Sequence, residues 1–143
     1  HTYSNIKETG YFTINHVQRD FIDKAHYTSA KFEKQQSEFQ QCELSEEYLD
    51  DFLAPFVKEC QFKLAVSYIE EYEIMASNTI MMVGSIQSVY LPGSTLQKDG
   101  HVDLNSMETV CISGSNHYHK VSQIATFGYA RPGVFPMNSF KNM

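Results

Sequence analysis

The chain has 143 residues and 42% hydrophobic content, enough for one hydrophobic core of ordinary size, which predicts a single domain over residues 1–143. Its formal net charge of -6 and the lack of a Lys/Arg block argue against a nucleic-acid partner, because binding to phosphates requires clustered positive charge. Without an apolar run of membrane-spanning length or a charged-then-apolar leader, no membrane partner is predicted and a cytoplasmic location is expected.

The N-terminal residues predict a short helix followed at once by a strand. Thr2 or Ser4 can cap the helix, and Gly10 can end it. From Tyr11 to Val17 polar and apolar side chains alternate, which is typical of a strand with one buried face. Apolar residues then recur at three- and four-residue spacing from Gln18 to about Ala25, which predicts a short amphipathic helix.

A long polar stretch follows that helix. Residues His26 to Phe32 are rich in hydroxyl groups and are predicted to form a functional loop. From Glu33 to Asp51 the chain is polar and acidic, and Pro55 prevents a helix from continuing beyond it. We therefore expect surface loop with short helical turns in this region.

The strongest local pattern lies in two segments, Cys60 to Ile74 and Thr79 to Tyr90. The first alternates with a period of two, and the second is an apolar run interrupted at Gly84, where a bulge is expected. The four residues between them, 75–78, are short enough for a hairpin turn. Strands of this length predict a barrel or a strongly curled sheet, since an isolated ribbon leaves apolar faces exposed. The residues assigned to the barrel core are Cys60, Phe62, Leu64, Ile80 and Met82.

The C-terminal part is predicted to be mostly loop. Residues 91–107 contain two turn signals, Pro92-Gly93 and Asp99-Gly100. A last short strand is expected at Thr109 to Ile112, followed by a polar loop over residues 114–119. The three cysteines are widely spaced with no CxxC pairing, which favours reduced thiols over a structural disulfide.

Four segments in this order resemble the flavin reductase-like family, which includes flavoredoxins and the reductase components of two-component monooxygenases. Each piece is common by itself, and the resemblance depends on their order and spacing over nearly the whole chain. The segments are His1–Gly10 with its following strand, His26–Phe39, the hairpin ending at Val83-Gly84 with Asp99–Asp103 after it, and Tyr118–Lys120 with Tyr129–Gly133.

The resemblance implies a mainly β fold, an antiparallel split β-barrel of Greek-key-like type with short flanking helices. Members of the family are similar in forming homodimers that bind FMN near the dimer interface. The family pattern begins before His1, with strands that form part of the barrel and contact FMN. We therefore expect N-terminal strands to be missing from this sequence.

Two motifs depart from the family pattern. The usual Gly-Glu after the apolar run is Gly84-Ser85 here, and the Gly-Leu-Asp-like loop before the late tyrosine is Gly114-Ser115-Asn116. The resemblance is therefore weakest for the flavin face and the electron donor.

FMN carries a dianionic phosphate, a polar ribityl chain and an apolar ring, so its site needs hydrogen-bond donors at one end and flat packing at the other. Thr2 lies at a predicted helix N-terminus, where free N–H groups and the helix dipole favour an anion. The resemblance implies that His1 and Thr2 contact the phosphate. The alternative is that Thr2 only caps the helix.

The resemblance implies a second strip of flavin contacts after the second predicted helix. Its hydroxyl and amide groups would face the phosphate or ribityl oxygens, and Lys31 would add positive charge. The alternative is a solvated loop without a ligand. The strip consists of Tyr27, Thr28, Ser29, Ala30 and Lys31.

His117 and Tyr118 are candidates for the side from which the electron donor approaches the flavin, and an ordinary polar loop is an equally compatible interpretation. His117 and His119 do not form a zinc pattern, because no third ligand has suitable spacing, so no metal site is predicted. No catalytic residues are predicted either, since in hydride transfer the redox chemistry belongs to the cofactor.

The leading functional hypothesis is an FMN-binding oxidoreductase of the flavin reductase type. It would pass electrons from NAD(P)H through bound flavin to free flavin, a monooxygenase or another partner protein. One alternative is a non-enzymatic, flavoredoxin-like electron carrier. The other is a ligand-free barrel that acts as an interaction module.

Overall fold

Antiparallel strand pairing organises the chain from Thr2 to Ser139, the residues that the computed structural model describes. The helices are α1 (Thr2–Thr9), α2 (Ile22–Tyr27) and α3 (Glu38–Gln41), and single 3-10 turns occupy Arg19–Phe21 and Gly93–Thr95. The strands are β1 (Tyr11–Asn15), β2 (Glu46–Glu47), β3 (Phe56–Val57), β4 (Lys63–Ile74), β5 (Thr79–Tyr90), β6 (Val110–Ser113) and β7 (His117–Lys120).

Three antiparallel sheets result from this pairing. The largest has the order β1-β4-β5, and the pairs β2-β3 and β6-β7 form two smaller ones. The prediction of a mainly β, antiparallel chain with short flanking helices is confirmed. None of the helices within residues 2–139 is long and apolar enough to cross a membrane.

The N-terminal helix and strand form where the sequence predicts them. Gly10 takes a φ of +76°, which favours glycine, and its N–H donates to the carbonyl of Ile6 at 2.8 Å. The buried Ile6 fixes α1 to the body, and β1 then pairs with β4 in the register Phe12 opposite Val66. The chain therefore reverses tightly between α1 and β1.

The second predicted helix forms with shifted bounds. A 3-10 turn over Arg19–Phe21 comes first. Its last residue, Phe21, has φ of -135° and ψ of 31°, which is not helical, and α2 begins at the next residue, Ile22. Phe21 is buried and anchors this turn. The helix runs on to Tyr27, so the first two residues of the predicted functional loop belong to its last turn.

The long hairpin is present, and its bulge lies beside Gly84. Residues 75–78 connect the strands, with Ile74 opposite Thr79. Tyr68 pairs with Gly84 and Glu70 pairs with Val83, so Ile69 is the extra residue on the facing strand. A Cβ on Gly84 would lie 2.4 Å from Val66 Cγ1 and 3.0 Å from Phe12 Cζ. Glycine is required there because the sheet packs too closely for any side chain.

The predicted barrel core is wrong for most of its members within the described chain. Cys60 is buried, Phe62, Leu64 and Met82 are only half-buried, and Ile80 is exposed. Alternation identifies a face but not whether another element covers it, and β5 pairs only with β4. The largest fully buried side chains are instead those of Phe56 and Met107, which come from outside the hairpin.

Two short pairings were not predicted. β2 pairs with β3 inside the region expected to be loop and helical turns, of which α3 is one. Of the expected polar loop over residues 114–119, the first half is a turn and the second half belongs to β7, because Gly114, with φ of +60°, turns the chain so that His117 pairs with Ser113. The expected loop over residues 91–107 is confirmed, with Gly100 at φ of +86°.

Replacing Gly84 by alanine is expected to destabilise the protein by about 1–3 kcal/mol, because the new methyl group overlaps Val66 and the carbonyl of Ser67. Urea unfolding measures this loss. Gly128→Ala is the matched control, since a Cβ there meets nothing within 4 Å and is expected to change stability by less than about 0.5 kcal/mol. Equal effects of the two substitutions would contradict the close packing at Gly84.

Candidate functional site

A cavity of about 370 Å³ lies between β1, α2 and α3, at the start of the predicted strip 27–31. Thr28 belongs to both the strip and the cavity wall. The lining is mostly apolar with a few polar groups, which is the usual character of a small-molecule site. The residues that line it include Thr13, Asn15, Phe21, Thr28, Phe39 and Cys60.

Hydrogen bonds fix the polar wall of this cavity. Asn15 Nδ2 donates to Thr13 Oγ1 at 2.9 Å, and Thr13 Oγ1 donates to the carbonyl of Pro55 at 2.7 Å. The amide oxygen of Asn15 accepts from the N–H of Val57 at 3.1 Å. These bonds tie β1 to the Pro55–Val57 segment and fix the orientation of the Thr13 and Asn15 side chains.

Cys60 forms part of the apolar wall and is chemically inert. Burial raises the pKa of its thiol to about 12, and the charge of Lys63 offsets only part of that effect. The thiol is therefore neutral at physiological pH and contributes packing rather than reactivity. Cys42, Cys60 and Cys111 are all free thiols.

The hydroxyl groups of the strip are engaged within the end of α2. Thr28 Oγ1 donates to the carbonyl of Ala25 at 2.7 Å, and Ser29 Oγ donates to the carbonyl of His26 at 2.8 Å. The N–H groups of Ser29 and Ala30 also bond to carbonyls of the helix. The hydroxyl groups of Thr28 and Ser29 can still accept hydrogen bonds, or can rotate and donate to a ligand. The cationic group of the strip is the ammonium of the exposed Lys31.

The rings of Tyr27 and Phe32 bracket the strip. Their centroids lie 5.2 Å apart at an interplanar angle of 85°, an edge-to-face contact. Tyr27 remains 52% exposed, so a large part of its side chain is open to solvent. The contact closes the strip into a compact turn that presents Lys31 at the surface.

The other predicted contacts lie at the start of α1. Thr2 is the exposed first residue of the helix, and His1 lies outside the described residues. No hydrogen bond or ion pair joins α1 to residues 27–31 in the part of the chain that the structure describes. The contacts predicted at the start of α1 and those predicted in the strip 27–31 thus belong to two elements that are anchored separately.

A network on β4 positions α1. Lys7 Nζ donates to Tyr68 Oη at 2.9 Å and lies 4.5 Å above the Tyr68 ring, while its distance to Glu71 Oε1 is 3.4 Å. Tyr3 Oη donates to the same carboxylate oxygen at 2.9 Å. Burial raises the pKa of Glu71, but the Tyr3 hydrogen bond and the Lys7 charge outweigh it, so that pKa lies below its ordinary value.

Tyr118 lies on β7 and meets α2 rather than its neighbouring histidines. His26 Nδ1 and Tyr118 Oη are 3.1 Å apart, and the rings are 5.8 Å apart in an edge-to-face arrangement. His117 is exposed and alternates with Tyr118 along the strand, so it faces the opposite side of the hairpin. His119 Nε2 bonds to Ser113 Oγ at 2.7 Å.

A second cavity, an open groove of about 490 Å³, lies between α2 and β7. Sequence patterns did not identify Arg19 as a site residue, because it belongs to no motif, and they marked Asn116 only as part of a loop that departs from the family pattern. Alternation over residues 117–121 together with Gly114 could have predicted the hairpin that carries Asn116 and Tyr118. The groove is lined by Arg19, Ile22, Asp23, His26, Asn116 and Tyr118.

Within residues 2–139, no three His, Cys, Asp or Glu side chains are gathered so as to hold a metal ion. The described site instead consists of an apolar cavity, a cationic strip and a groove lined by polar groups. Helix α2 separates the cavity from the groove.

Comparison with known proteins agrees with this architecture. The family model of the flavin reductase like domain matches residues 1–106, and the chain belongs to that family. A split-barrel protein from Shewanella frigidimarina NCIMB 400, assigned as a flavin reductase, is 42% identical with a TM-score of 0.88, over 91% of this chain and 66% of that one. The predicted split-barrel fold is confirmed.

Two further solved structures share the fold. Flavoredoxin of Desulfovibrio vulgaris (Miyazaki F) is 25% identical with a TM-score of 0.73, covering 93% of this chain and 68% of that one. Component B of nitrilotriacetate monooxygenase from Bacillus cereus is 17% identical with a TM-score of 0.74, covering 86% and 62%. The chain thus spans about two thirds of the length of these proteins. A search of curated proteins gives no match.

Replacing Glu71 by alanine is expected to loosen α1, because the substitution removes the acceptor of Tyr3 and the counter-ion of Lys7. Hydrogen exchange of the α1 amides, followed by mass spectrometry, is expected to become several-fold faster. The adjacent Glu70→Ala is the control, since Glu70 is exposed and alternates with Glu71 along β4. The network is refuted as the anchor of α1 if both variants exchange at the wild-type rate.

Proposed function

We propose that the chain is the flavin-binding part of an FMN-dependent oxidoreductase of the flavin reductase type. The observation that carries the proposal is the arrangement around α2, where Thr28 of the strip 27–31 lines a mostly apolar cavity and Lys31 of the same strip is exposed. Membership of the flavin reductase-like family supports the same assignment.

The residues present suit the chemistry of FMN. Lys31 would neutralise phosphate charge, and Thr28 and Ser29 offer hydroxyl oxygens to the ribityl chain. Thr2 at the free end of α1 would add a hydroxyl and helix N–H groups, together with His1. The volume of about 370 Å³ falls within the range of small-molecule pockets.

Bound FMN would supply the redox chemistry by accepting a hydride from NAD(P)H and passing electrons on. The protein would hold the phosphate, orient the ring and limit access of water. Tyr118 and His117 are proposed for the side of the electron donor. The contact between Tyr118 and His26 supports this role for Tyr118, because it links β7 to the helix that leads into the strip.

We further propose a cytoplasmic homodimer that delivers electrons to free flavin or to a partner such as a monooxygenase. The outer half of the long hairpin supports dimerisation, since Tyr72, Ile74, Ile80 and Met81 are exposed there. The free thiols are consistent with a reducing compartment.

A second candidate is an electron carrier that binds FMN but is not reduced by NAD(P)H. The similarity to Desulfovibrio vulgaris flavoredoxin over 93% of the chain supports this candidate. The departures at Gly84-Ser85 and Gly114–Asn116 concern the side of the electron donor and are compatible with a carrier.

The reductase is expected to take up added FMN and to lose its yellow absorbance when mixed anaerobically with NADH or NADPH. The measurement is the absorbance of the bound flavin against time after mixing. A yellow protein that neither donor bleaches would identify the carrier instead. A protein that remains colourless after incubation with FMN would refute both candidates.

A further inference from the structure

A further cavity, of about 300 Å³, lies between the chain that follows β1 and the β6–β7 hairpin. Its wall is mostly apolar, and the described residues that line it include no Lys, Arg, Asp or Glu. Val17 also lines the cavity beside α2, so the two cavities are neighbours. The lining residues include His16, Val17, Leu104, Thr109, Ile112 and Val121.

Two polar atoms of this wall are buried and have no hydrogen-bond partner among residues 2–139. They are Oγ1 of Thr109, a residue that is only 5% exposed, and Nδ1 of His16. Buried polar groups of folded proteins nearly always have a partner, because an unpaired group loses its hydration without compensation. A mostly apolar wall with two unpaired polar atoms therefore suits a ligand that brings one polar group of its own.

Strand pairing places these two side chains on one face. Gln18 pairs with Thr109 in an antiparallel bridge, and the N–H of Val110 donates to the carbonyl of Val17 at 3.0 Å, which fixes the register. Side chains two residues apart in an extended chain share a face, so His16 lies on the face of Gln18 and diagonal to Thr109. The side-chain amide atoms of Gln18 are buried and unpaired as well.

His16 offers a neutral imidazole in a fixed orientation. Its ring packs against Phe62 with the centroids 4.3 Å apart and the planes tilted by 39°. Burial lowers the pKa of His16 below its ordinary value, so the ring is uncharged at physiological pH. A neutral imidazole nitrogen accepts or donates one hydrogen bond, and the Thr109 hydroxyl can do both.

These properties define the class of ligand. An ion would lose its hydration in this cavity without meeting an opposite charge, which excludes carboxylates, phosphates and ammonium groups. A single hydroxyl group can donate to His16 Nδ1 and accept from Thr109 Oγ1, and both orphan atoms are then satisfied. An aromatic ring suits the rest of the wall, because it buries apolar area with few rotatable bonds to immobilise.

We propose that this cavity binds a small uncharged phenol, whose hydroxyl group pairs with His16 Nδ1 and Thr109 Oγ1. The ring of the phenol packs against the aliphatic side chains of Val17, Ile112 and Val121. This site is separate from the cavity proposed for the flavin, and it goes beyond the proposed function because it requires no bound flavin.

Cys111 provides a reporter at the site. It lines the cavity and is an exposed free thiol, whereas Cys42 and Cys60 are buried. Saturating para-cresol is expected to slow the alkylation of Cys111 by iodoacetamide several-fold, as measured by mass spectrometry. Toluene, which lacks the hydroxyl group, and para-hydroxybenzoate, which adds a charge, are each expected to bind about tenfold more weakly.

Two substitutions test the polar contacts. Thr109→Val is expected to weaken para-cresol binding about tenfold and to leave the urea midpoint unchanged or higher, because the lost hydroxyl has no partner within the described chain. His16→Phe keeps a ring against Phe62 but removes Nδ1, and a similar loss of affinity is expected. Thr79→Val is the matched control, since Thr79 is exposed at the far end of the long hairpin.

The outcomes separate the phenol site from the proposed function. Equal protection of Cys111 by toluene and para-cresol, or wild-type affinity of Thr109→Val for para-cresol, would overturn the site. A lower urea midpoint of Thr109→Val would also overturn it, by showing that the hydroxyl has a structural partner. Loss of FMN uptake by Thr109→Val with unchanged para-cresol binding would assign the cavity to the flavin instead. Binding of para-cresol that depends on Thr109, in a protein that takes up no FMN, would support the site and refute the reductase.

Discussion

Pairing of β4 with a strand on each side is the constraint on which the described structure depends. β1 lies along one edge of β4 and β5 along the other, and the sheet closes so tightly at Gly84 that no side chain fits there. The same strand carries Tyr68 and Glu71, which anchor α1. Strand pairing thus determines where the N-terminal helix lies against the sheet.

The other end of β4 connects to the rest of the body through a buried charge. Lys63 is 7% exposed and forms an ion pair with Glu47, while its ammonium also donates to the carbonyl of Lys58. A buried ammonium without partners would be costly, so the β2 segment must lie against this strand. This contact holds the Pro55–Val57 segment, whose carbonyl and N–H groups fix Asn15 and Thr13 in the cavity wall.

Helix α2 then divides the site chemistry into two parts. Ala25 and Thr28 face the cavity beneath the strip, and Asp23 and His26 face the groove toward β7. The burial that raises the pKa of Cys60 leaves no reactive thiol at this position of the cavity proposed for the flavin.

Local patterns predicted those parts of the fold that depend on neighbouring residues. Gly10, the strand after it and the hairpin turn at 75–78 have local physical causes, and all are confirmed. Burial of Phe62, Leu64 and Ile80 was predicted wrongly, because coverage of a face depends on elements distant in sequence.

The same distinction applies to the candidate site. The strip 27–31 was chosen from its hydroxyl-rich composition and the family resemblance. The contact between His26 and Tyr118 joins residues 92 positions apart, and no local pattern encodes it. Arg19 lies beside Glu108 through a backbone hydrogen bond and an ion pair, and the two residues are similarly remote in sequence.

The most direct test of the flavin site compares FMN with riboflavin, which lacks the phosphate, in binding to wild-type protein and to the Lys31→Gln and Lys34→Gln variants. The assignment of Lys31 to the phosphate predicts that Lys31→Gln weakens FMN binding about tenfold and leaves riboflavin binding unchanged. Lys34, an exposed lysine three residues further along, should tolerate the same change. Equal affinity of all three proteins for FMN would contradict the account.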